Sequence, residues 1–303
     1  MNSDQTSPGS PDSLAWDLVI PSHAKINLGL HVLGKRQDGY HNIWTIFQEL
    51  EFHDTLYFRK HREPLRITTD HPTLPVGDAN LVSQAVRRIQ TQTGCPLHVA
   101  IHIQKRIPLG AGLGGGSSNA AATLVGMNRL FRLGLGGEEL RALAAELGSD
   151  VPFFLYGGTA RATGRGEQLQ PLPDLAPIWI GLIFPGIHIS SGWAYKNINL
   201  KLTNLRAINS MLSRLTHIAI TGRDRTPLHN MFEEPVIRQY PIIGSIKTAL
   251  VQHGAEWAML AGSGSTVFGV FRSKRLAEEA LCRMERPDWV MVVTSIKPRT
   301  GCV

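Results

Sequence analysis

Cysteine is scarce in this sequence of 303 residues, and long apolar runs are missing from it. The three cysteines, Cys95, Cys282 and Cys302, are odd in number and lack the spacing of metal ligands. This pattern argues against a disulfide framework and favours a reducing compartment. No apolar run approaches the ~20 residues that a membrane-spanning helix needs. We therefore expect a cytoplasmic protein with no membrane partner.

A block of clustered basic residues is also missing. The formal net charge of +7 is spread along the chain, apart from short pieces such as Lys274-Arg275. Proteins that bind nucleic acid usually concentrate such charge on one face or tail. The charge balance therefore fits phosphate-bearing small molecules about as well as it fits RNA. Residues 1–15 are polar and lack the basic start and apolar core of a secretory signal, so we interpret them as a disordered leader.

Glycine, by contrast, is concentrated in one stretch, where it supplies five of the seven residues 110–116. Glycine lets the backbone turn at positive φ and lets a ligand approach the backbone closely. Amides that converge at the start of a helix form a site for phosphate, which the helix dipole strengthens. We therefore predict an anion-binding loop that leads into a helix over 117–131. The loop consists of Pro108, Leu109, Gly110, Ala111, Gly112, Leu113, Gly114, Gly115, Gly116, Ser117 and Ser118.

The loop fits neither of two standard nucleotide-binding motifs. A Walker loop needs a lysine directly before the Ser or Thr, and no lysine lies between Lys105 and Ser117. Gly110, Gly112 and Gly115 match the dinucleotide pattern Gly-x-Gly-x-x-Gly. That motif also needs a second strand ending in an acidic residue about 20 positions further on, where this sequence has helical patterns instead.

An early strand carries polar residues on one face. From Ala24 to Leu30, apolar residues alternate with Lys25, Asn27 and glycine, which is the period of a half-buried strand. Lys25 and Asn27 therefore share a face that is either solvated or functional. Tyr40 and His41 follow a predicted turn, where they either cap a strand or stack on a base.

Asp150 follows a helix predicted over 138–147 and precedes an apolar segment. It is either a helix cap, for which Asp is a preferred residue, or a carboxylate at the edge of a cleft. Further along the chain, a helix is predicted over 207–219 and a polar loop over 190–195. A second glycine-rich turn contains Gly262, Ser263, Gly264 and Ser265.

The early Lys25 and Asn27 strand, the loop at 108–118 and the late glycine turn together resemble the superfamily of galactokinase, homoserine, mevalonate and phosphomevalonate kinases (GHMP kinases). The stretches 24–28, 38–41, 114–118 and 148–152 make a narrower match to members that act on a cytidine-diphosphate-linked methylerythritol. The resemblance covers residues 16 to about 295.

The resemblance implies an α+β fold of two domains with the active site in the cleft between them. Residues 16–166 would form an N-terminal ATP-binding domain like domain 2 of ribosomal protein S5. Residues 167–303 would form a C-terminal ferredoxin-like α/β sandwich. A monomer or weak homodimer without a nucleic-acid partner is expected.

The resemblance also implies an activity: phosphorylation of the 2-hydroxyl of the acceptor by ATP, in the non-mevalonate route to isoprenoid precursors. Phosphoryl transfer needs mainly positioning, electrostatic stabilisation and a carboxylate to receive the alcohol proton. By similarity Asp150 takes that proton, and Lys25 orients the hydroxyl and offsets phosphoryl charge. Mg²⁺ is implied by ATP, with Ser117 and phosphate oxygens as its contacts, but no metal ligand is assigned. The implied acceptor-binding residues are Asn27 near the methylerythritol and Tyr40, His41 and Tyr195 around the cytosine.

Three alternatives remain open at this point. The first is a GHMP kinase with a mevalonate or sugar acceptor, against which Tyr40-His41 argues moderately. The second is an RNA-binding module of ribosomal type, which leaves the two glycine turns and Asp150 unexplained. The third is a dinucleotide-dependent oxidoreductase, which the missing second strand and acidic residue weaken.

Overall fold

The computed structural model describes residues 15–200 and 228–299. Ten strands are numbered here in chain order within these ranges. They are β1 (Leu18–Lys35), β2 (His41–Lys60), β3 (Arg66–Thr69), β4 (Val99–Gln104), β5 (Thr159–Thr163), β6 (Gln168–Pro171), β7 (Trp179–Phe184), β8 (Trp257–Leu260), β9 (Val267–Phe271) and β10 (Val290–Ser295).

The helices of the described ranges are also numbered in chain order. They are α1 (Leu81–Thr93), α2 (Gly115–Phe131), α3 (Gly137–Leu147), α4 (Phe153–Tyr156), α5 (Ser191–Lys196), α6 (Glu233–Gln239), α7 (Pro241–Gln252) and α8 (Lys274–Arg283). The Asn80 side chain caps α1 by accepting from the Val82 amide, and Gly94 ends that helix at φ 65°. No helix within the described ranges is both long enough and apolar enough to cross a membrane.

The first sheet is built around two long strands, β1 and β2, which pair antiparallel. Its order is β3-β4-β2-β5-β6, with β1 on β2, and only β3 and β4 run parallel. Strand β2 is continuous from His41 to Lys60. It continues because β1 pairs with it from Phe58 to His41, and β4 joins it from Thr55 onward.

The second sheet has the order β10-β7-β9-β8, and all its pairs are antiparallel. One apolar core joins the two sheets, since Ile26 and Leu28 of β1 pack in the same cluster as Leu182 of β7 and Phe268 of β9. Helices α1 to α3 pack on the first sheet through a second core that includes Leu56, Ile89 and Leu124. The shared core covers the Ile26 and Leu28 face of β1, and Lys25 and Asn27 on the opposite face are buried as well, so this strand is not half-buried as predicted.

The end of the first sheet lies beyond the predicted domain boundary. Strand β6 begins at Gln168, after residue 166, and pairs with β5 across a turn in which Gly164 and Gly166 have φ of 68° and 118°. A boundary at 166–167 cuts this hairpin, so we propose that the N-terminal domain ends after Pro171. Residues 1–14 of the predicted leader and the helix predicted over 207–219 lie outside the described residues.

Candidate active site

The glycine loop turns back on itself and ends at the first residue of α2. Gly110, Gly112 and Gly114 have φ of 63°, 79° and 71°, a region that other residues enter only with strain. Gly114 is the N-cap of α2, and no side chain within the described ranges caps this helix. The amides of its first turn therefore have no intrahelical acceptor, which is the arrangement that binds phosphate at helix N-termini.

The glycine loop contacts the late glycine turn directly. A Cβ on Gly112 would lie 2.1 Å from the Ala261 carbonyl oxygen, so only glycine permits this approach. The Thr266 amide donates to the Ala111 carbonyl at 3.2 Å. Two motifs that are 150 positions apart in the sequence are therefore brought together, and Gly262 of the late turn faces the same space as Lys25.

A buried carboxylate, Asp54, holds both ends of the glycine loop. It is fully buried and pairs with the Lys105 ammonium group. Its Oδ1 accepts from the amides of Arg106 at 2.7 Å and Ile107 at 2.8 Å, at the entrance to the loop. Its Oδ2 accepts from Asn119 Nδ2 at 3.0 Å, in α2. Asp54 was not predicted from the sequence, because nothing local distinguishes it from other polar residues on a strand.

Lys25 and Asp150 form an ion pair at the bottom of the cleft. Lys25 Nζ lies 3.4 Å from Asp150 Oδ2, and their side chains are 5% and 33% exposed. Lys25 Nζ also donates to Asn27 Oδ1 at 2.8 Å. Asn27 Nδ2 in turn donates to Thr45 Oγ1 at 2.8 Å. The polar face of β1 is therefore a buried hydrogen-bonded network, and the solvated alternative is wrong.

The backbone of Lys25 is also held, and the Asp150 side chain is free of any capping role. The Lys25 amide donates to the Leu113 carbonyl at 3.0 Å, which joins β1 to the glycine loop. Asp150 caps neither neighbouring helix, since the N-caps of α3 and α4 are Gly136 and Pro152. The carboxylate is left facing the cleft.

The residues predicted to hold the cytosine line the other side of the cleft. The rings of His41 and Tyr195 are stacked, with centroids 4.9 Å apart and planes at 14°. Tyr195 also makes an edge contact to Phe232 at 4.9 Å. Tyr40 is 55% exposed and has the Arg165 guanidinium group over its ring at 5.0 Å. Residues 190–195, predicted as a loop, are mostly helical, because the Ser190 hydroxyl caps α5.

The ionisation of the two stacked rings is set by their surroundings. Burial raises the pKa of the Tyr195 phenol, and the nearby Asp150 carboxylate raises it further. Burial lowers the pKa of His41, and Lys35 adds to this effect. Both rings are therefore kept uncharged near neutral pH, which favours stacking on a neutral base.

These groups share one cleft with a volume of about 640 Å³. It is lined by Lys25, Asn27, Tyr40, His41, Asp150 and Tyr195, together with Gly112, Gly114, Gly262 and Ser263. The lining also contains three cationic residues that were not predicted, Lys35, Arg165 and Lys196. They lie on separate elements, so only the fold brings their charges together.

Other predicted loop residues lie outside this cleft. Gly110 and Gly264 line a small adjoining pocket, and Pro108 and Leu109 line another. Ser118 is buried and accepts from the Ser22 hydroxyl at 2.8 Å, so its hydroxyl serves packing between β1 and α2. The cleft lining also does not include Ala111, Leu113, Gly115, Gly116, Ser117 or Ser265. Within the described ranges, no three His, Cys, Asp or Glu side chains are placed to hold a metal ion.

Comparison with known proteins decides the family. Residues 80–158 match the model of the GHMP kinases N terminal domain, and residues 202–287 match that of the GHMP kinases C terminal domain. The 4-diphosphocytidyl-2-C-methyl-D-erythritol kinase of Syntrophus aciditrophicus is 40% identical over 281 residues, which cover 92% of this chain and 99% of the relative. That of Moorella thermoacetica is 41% identical over 281 residues, covering 91% and 98%. The chain belongs to the 4-diphosphocytidyl-2-C-methyl-D-erythritol kinase family.

The solved structures agree with this membership. A crystal structure of 4-(cytidine 5'-diphospho)-2C-methyl-D-erythritol kinase superposes with a TM-score of 0.79 at 32% identity, covering 94% of this chain and all of the other. The homoserine kinase of Cytophaga hutchinsonii has a TM-score of 0.73 at 18% identity over 97% and 98% of the two chains, which shows a shared fold alone. The predicted superfamily and the two-domain GHMP fold are confirmed, and the chain is an ATP-dependent small-molecule kinase.

Proposed function

We propose that this protein transfers the γ-phosphoryl group of ATP to the 2-hydroxyl of 4-diphosphocytidyl-2-C-methyl-D-erythritol. The products are the 2-phosphate and ADP, and the reaction belongs to the methylerythritol phosphate route to isoprenoid precursors. The observation that carries the proposal is the Lys25–Asp150 pair, which lies in one cleft between the glycine loop and the stacked His41 and Tyr195.

Asp150 is the proposed proton acceptor. Its carboxylate is one-third exposed and reaches the cleft, while Lys25 beside it is almost fully buried. Lys25 is held by Asn27 on one side and lies 5.0 Å from the centre of the Phe47 ring on the other. A fixed cation at this point orients the acceptor hydroxyl and offsets negative charge that develops during phosphoryl transfer.

The glycine loop is the proposed site for the phosphates of ATP. The positive φ of Gly112 and Gly114 and the uncapped start of α2 leave backbone donors free of side chains, which fits a polyphosphate. We propose that Mg²⁺ accompanies ATP and neutralises phosphate charge. Because the described residues offer no cluster of carboxylates, Ser117 and the phosphates would hold this ion, which usually keeps several waters.

The acceptor side of the cleft is the proposed site for the cytidine diphosphate. Stacked, uncharged rings of His41 and Tyr195 suit a neutral base, and Tyr40 lies at the rim. Asn27 would contact the methylerythritol, since it accepts a hydrogen bond from Lys25 beside the proposed reaction centre.

We also propose a cytoplasmic enzyme, a monomer or weak homodimer without a nucleic-acid partner. Free thiols at Cys95 and Cys282 support a reducing compartment.

The proposal is tested by following ADP release from ATP and Mg²⁺ with and without the acceptor. We expect ADP release that requires the acceptor. The variant Asp150→Asn is expected to lower kcat by about 10²–10⁴-fold, the usual contribution of a general base. Asp78→Asn is the matched control, because Asp78 pairs with exposed Arg87 and lies away from the cleft.

Each contrary outcome points to a different error. Full activity in Asp150→Asn would remove Asp150 as the proton acceptor but leave the kinase. ADP release with mevalonate or a simple sugar, and none with the proposed acceptor, would leave the GHMP chemistry and refute the acceptor. Release without any acceptor would refute the transfer itself.

A further inference from the structure

Glu49 is a buried carboxylate that the proposed reaction does not use. It lies on β2 and is 4% exposed. Its Oε2 accepts from the Gly158 amide at 3.0 Å and pairs with Lys297 Nζ at 3.2 Å. A Cβ on Gly157 would lie 2.6 Å from the same oxygen, and Gly157 has a φ of 67°. The carboxylate therefore fits closely into the turn formed by Gly157 and Gly158.

That turn ends the segment on which Asp150 lies. The segment is one continuous series of backbone turns, in which the Val151 amide donates to the Gly148 carbonyl at 3.2 Å and the Gly157 amide donates to Phe153 at 2.9 Å. The distance along the chain from Asp150 to Gly157 is short, and α4 fills most of it. A displacement of the Gly157 turn is therefore passed to Asp150 with little flexible chain between them.

Strand β2 supports the same segment at a second point. Phe47 lies two residues before Glu49, so the two side chains share a face of the strand. The Phe47 ring contacts the Phe153 ring of α4, with centroids 5.0 Å apart, and the Lys25 ammonium lies 5.0 Å from its centre. Lys25 is also the residue opposite Glu49 in the register of β1 and β2. One face of β2 thus supports both members of the Lys25–Asp150 pair.

Lys297 brings the second sheet to this point. It follows β10, and its amide donates to the Glu49 carbonyl at 2.8 Å. The preceding Ile296 makes a bridge to Leu50. Two residues after Lys297, Arg299 Nη2 donates to the Thr159 carbonyl at 2.7 Å. The end of β10 is therefore attached to the first sheet on both sides of Lys297.

We propose that Glu49 and Lys297 are positioning residues that fix the Asp150 segment through the Gly157–Gly158 turn, and that they couple the C-terminal segment to catalysis. The proposal rests on the proposed function of Asp150. Burial raises the pKa of Glu49, while Lys297 and the Gly158 amide lower it. Loss of Lys297 therefore favours the protonated carboxyl group, which accepts more weakly from the turn.

The test compares Lys297→Met, Lys297→Arg and the double variant Glu49→Gln/Lys297→Met with the wild type, all well below their melting temperatures. We expect Lys297→Met to lower kcat about tenfold with the KM of ATP and of the acceptor unchanged, because an effect on positioning alone appears in kcat. Lys297→Arg is expected to recover most of that loss, and the double variant to lose no more than the single one. Lys274→Met removes an exposed ion pair and is the matched control.

A second readout does not depend on activity. Amide hydrogen exchange of peptides covering 148–158 is expected to be about tenfold faster in Lys297→Met and unchanged in Lys274→Met, because local opening sets these rates. Unchanged exchange together with unchanged kcat would overturn the proposal. If kcat falls only in proportion to the fraction of folded protein, and Lys297→Arg recovers none of the loss, Glu49 and Lys297 contribute to stability alone. If the wild type releases no ADP, the proposed function fails, and the exchange experiment still decides whether the pair holds this segment.

Discussion

The anchoring of the glycine loop by Asp54 leads to a quantitative prediction. Asp54→Ala removes the partner of Lys105, whose side chain is 2% exposed, and the acceptor of three further donors. Breaking a buried ion pair from one side costs about 3–5 kcal/mol. Burial lowers the pKa of Lys105, while Asp54 and Asp70 raise it, so removal of Asp54 makes it easier for the lysine to lose its proton. That loss of charge keeps the expected destabilisation near the lower end, about 3 kcal/mol.

The relative losses of stability in three variants test the role of Asp54 more strictly than one value. Lys105→Met leaves Asp54 with the Arg106 and Ile107 amides and Asn119, so we expect a smaller loss than in Asp54→Ala. Asp78→Ala breaks an ion pair whose side chains are 76% and 55% exposed, and such pairs contribute about 0–1 kcal/mol. Urea unfolding followed by circular dichroism gives the three free energies of unfolding.

The same variants separate stability from loop geometry. Asp54 holds the entrance of the loop and the start of α2, so Asp54→Ala is expected to raise the KM of ATP by about tenfold, or ~1.4 kcal/mol. The KM of the acceptor should change little, because the acceptor side of the cleft has other anchors. Unaltered stability and an unaltered KM of ATP in Asp54→Ala would refute the anchoring. If Lys105→Met lowers the free energy of unfolding as much as Asp54→Ala does, the amide contacts of Asp54 contribute nothing.

Two further predictions concern ionisation and the acceptor. Burial lowers the pKa of His23 and of His31 to about 4, from 6.5, so the unfolded chain binds the extra protons and stability falls as the pH drops below about 6.5. Between pH 7.5 and 5.5 the free energy of unfolding should decrease by about 1.4 kcal/mol for each histidine. If the urea midpoint of the double variant His23→Gln/His31→Leu decreases as much over this pH range as that of the wild type, the histidines are not the cause. Tyr195→Phe should keep the KM of the acceptor within about twofold, whereas Tyr195→Ala, which removes the stacked ring, should raise it about tenfold, as measured by ADP release. Equal effects of the two variants would assign the contribution to the hydroxyl group.

Local patterns were enough to predict most elements and the main parts of the cleft. Alternation along β1 placed Lys25 and Asn27 on one face, and glycine spacing located the loop at 108–118 and the late turn. These signals are readable because strand period and glycine conformation are properties of a few neighbouring residues. The family resemblance then supplied roles for Asp150 and Tyr195 that no local pattern contains.

Other features depend on contacts between distant segments and were not predictable. The burial of Lys25 follows from the glycine loop, the late turn and Phe47 packing around its side chain, which its own sequence does not indicate. Asp54 and Lys105 are 51 positions apart, and their pairing arises only from the register of β2 and β4. Helix α5, by contrast, has a local signal in the sequence. Ser190 is its N-cap, but this residue was interpreted as part of a loop.

The two sides of the cleft are held by different kinds of contact. On the proposed phosphate side, Gly112 and the late turn approach through backbone atoms, and a Cβ on Gly262 would lie 3.1 Å from the Gly112 carbonyl oxygen and 3.6 Å from Lys25 Nζ. No larger residue can replace Gly112 without separating the two turns, and a larger residue at Gly262 would be strained at its φ of 57°. On the proposed acceptor side, the contacts are between the side chains of His41 and Tyr195, on separate elements. We therefore expect side-chain substitutions at His41 and Tyr195 to change the preference for the acceptor while the backbone contacts between the two glycine turns stay in place.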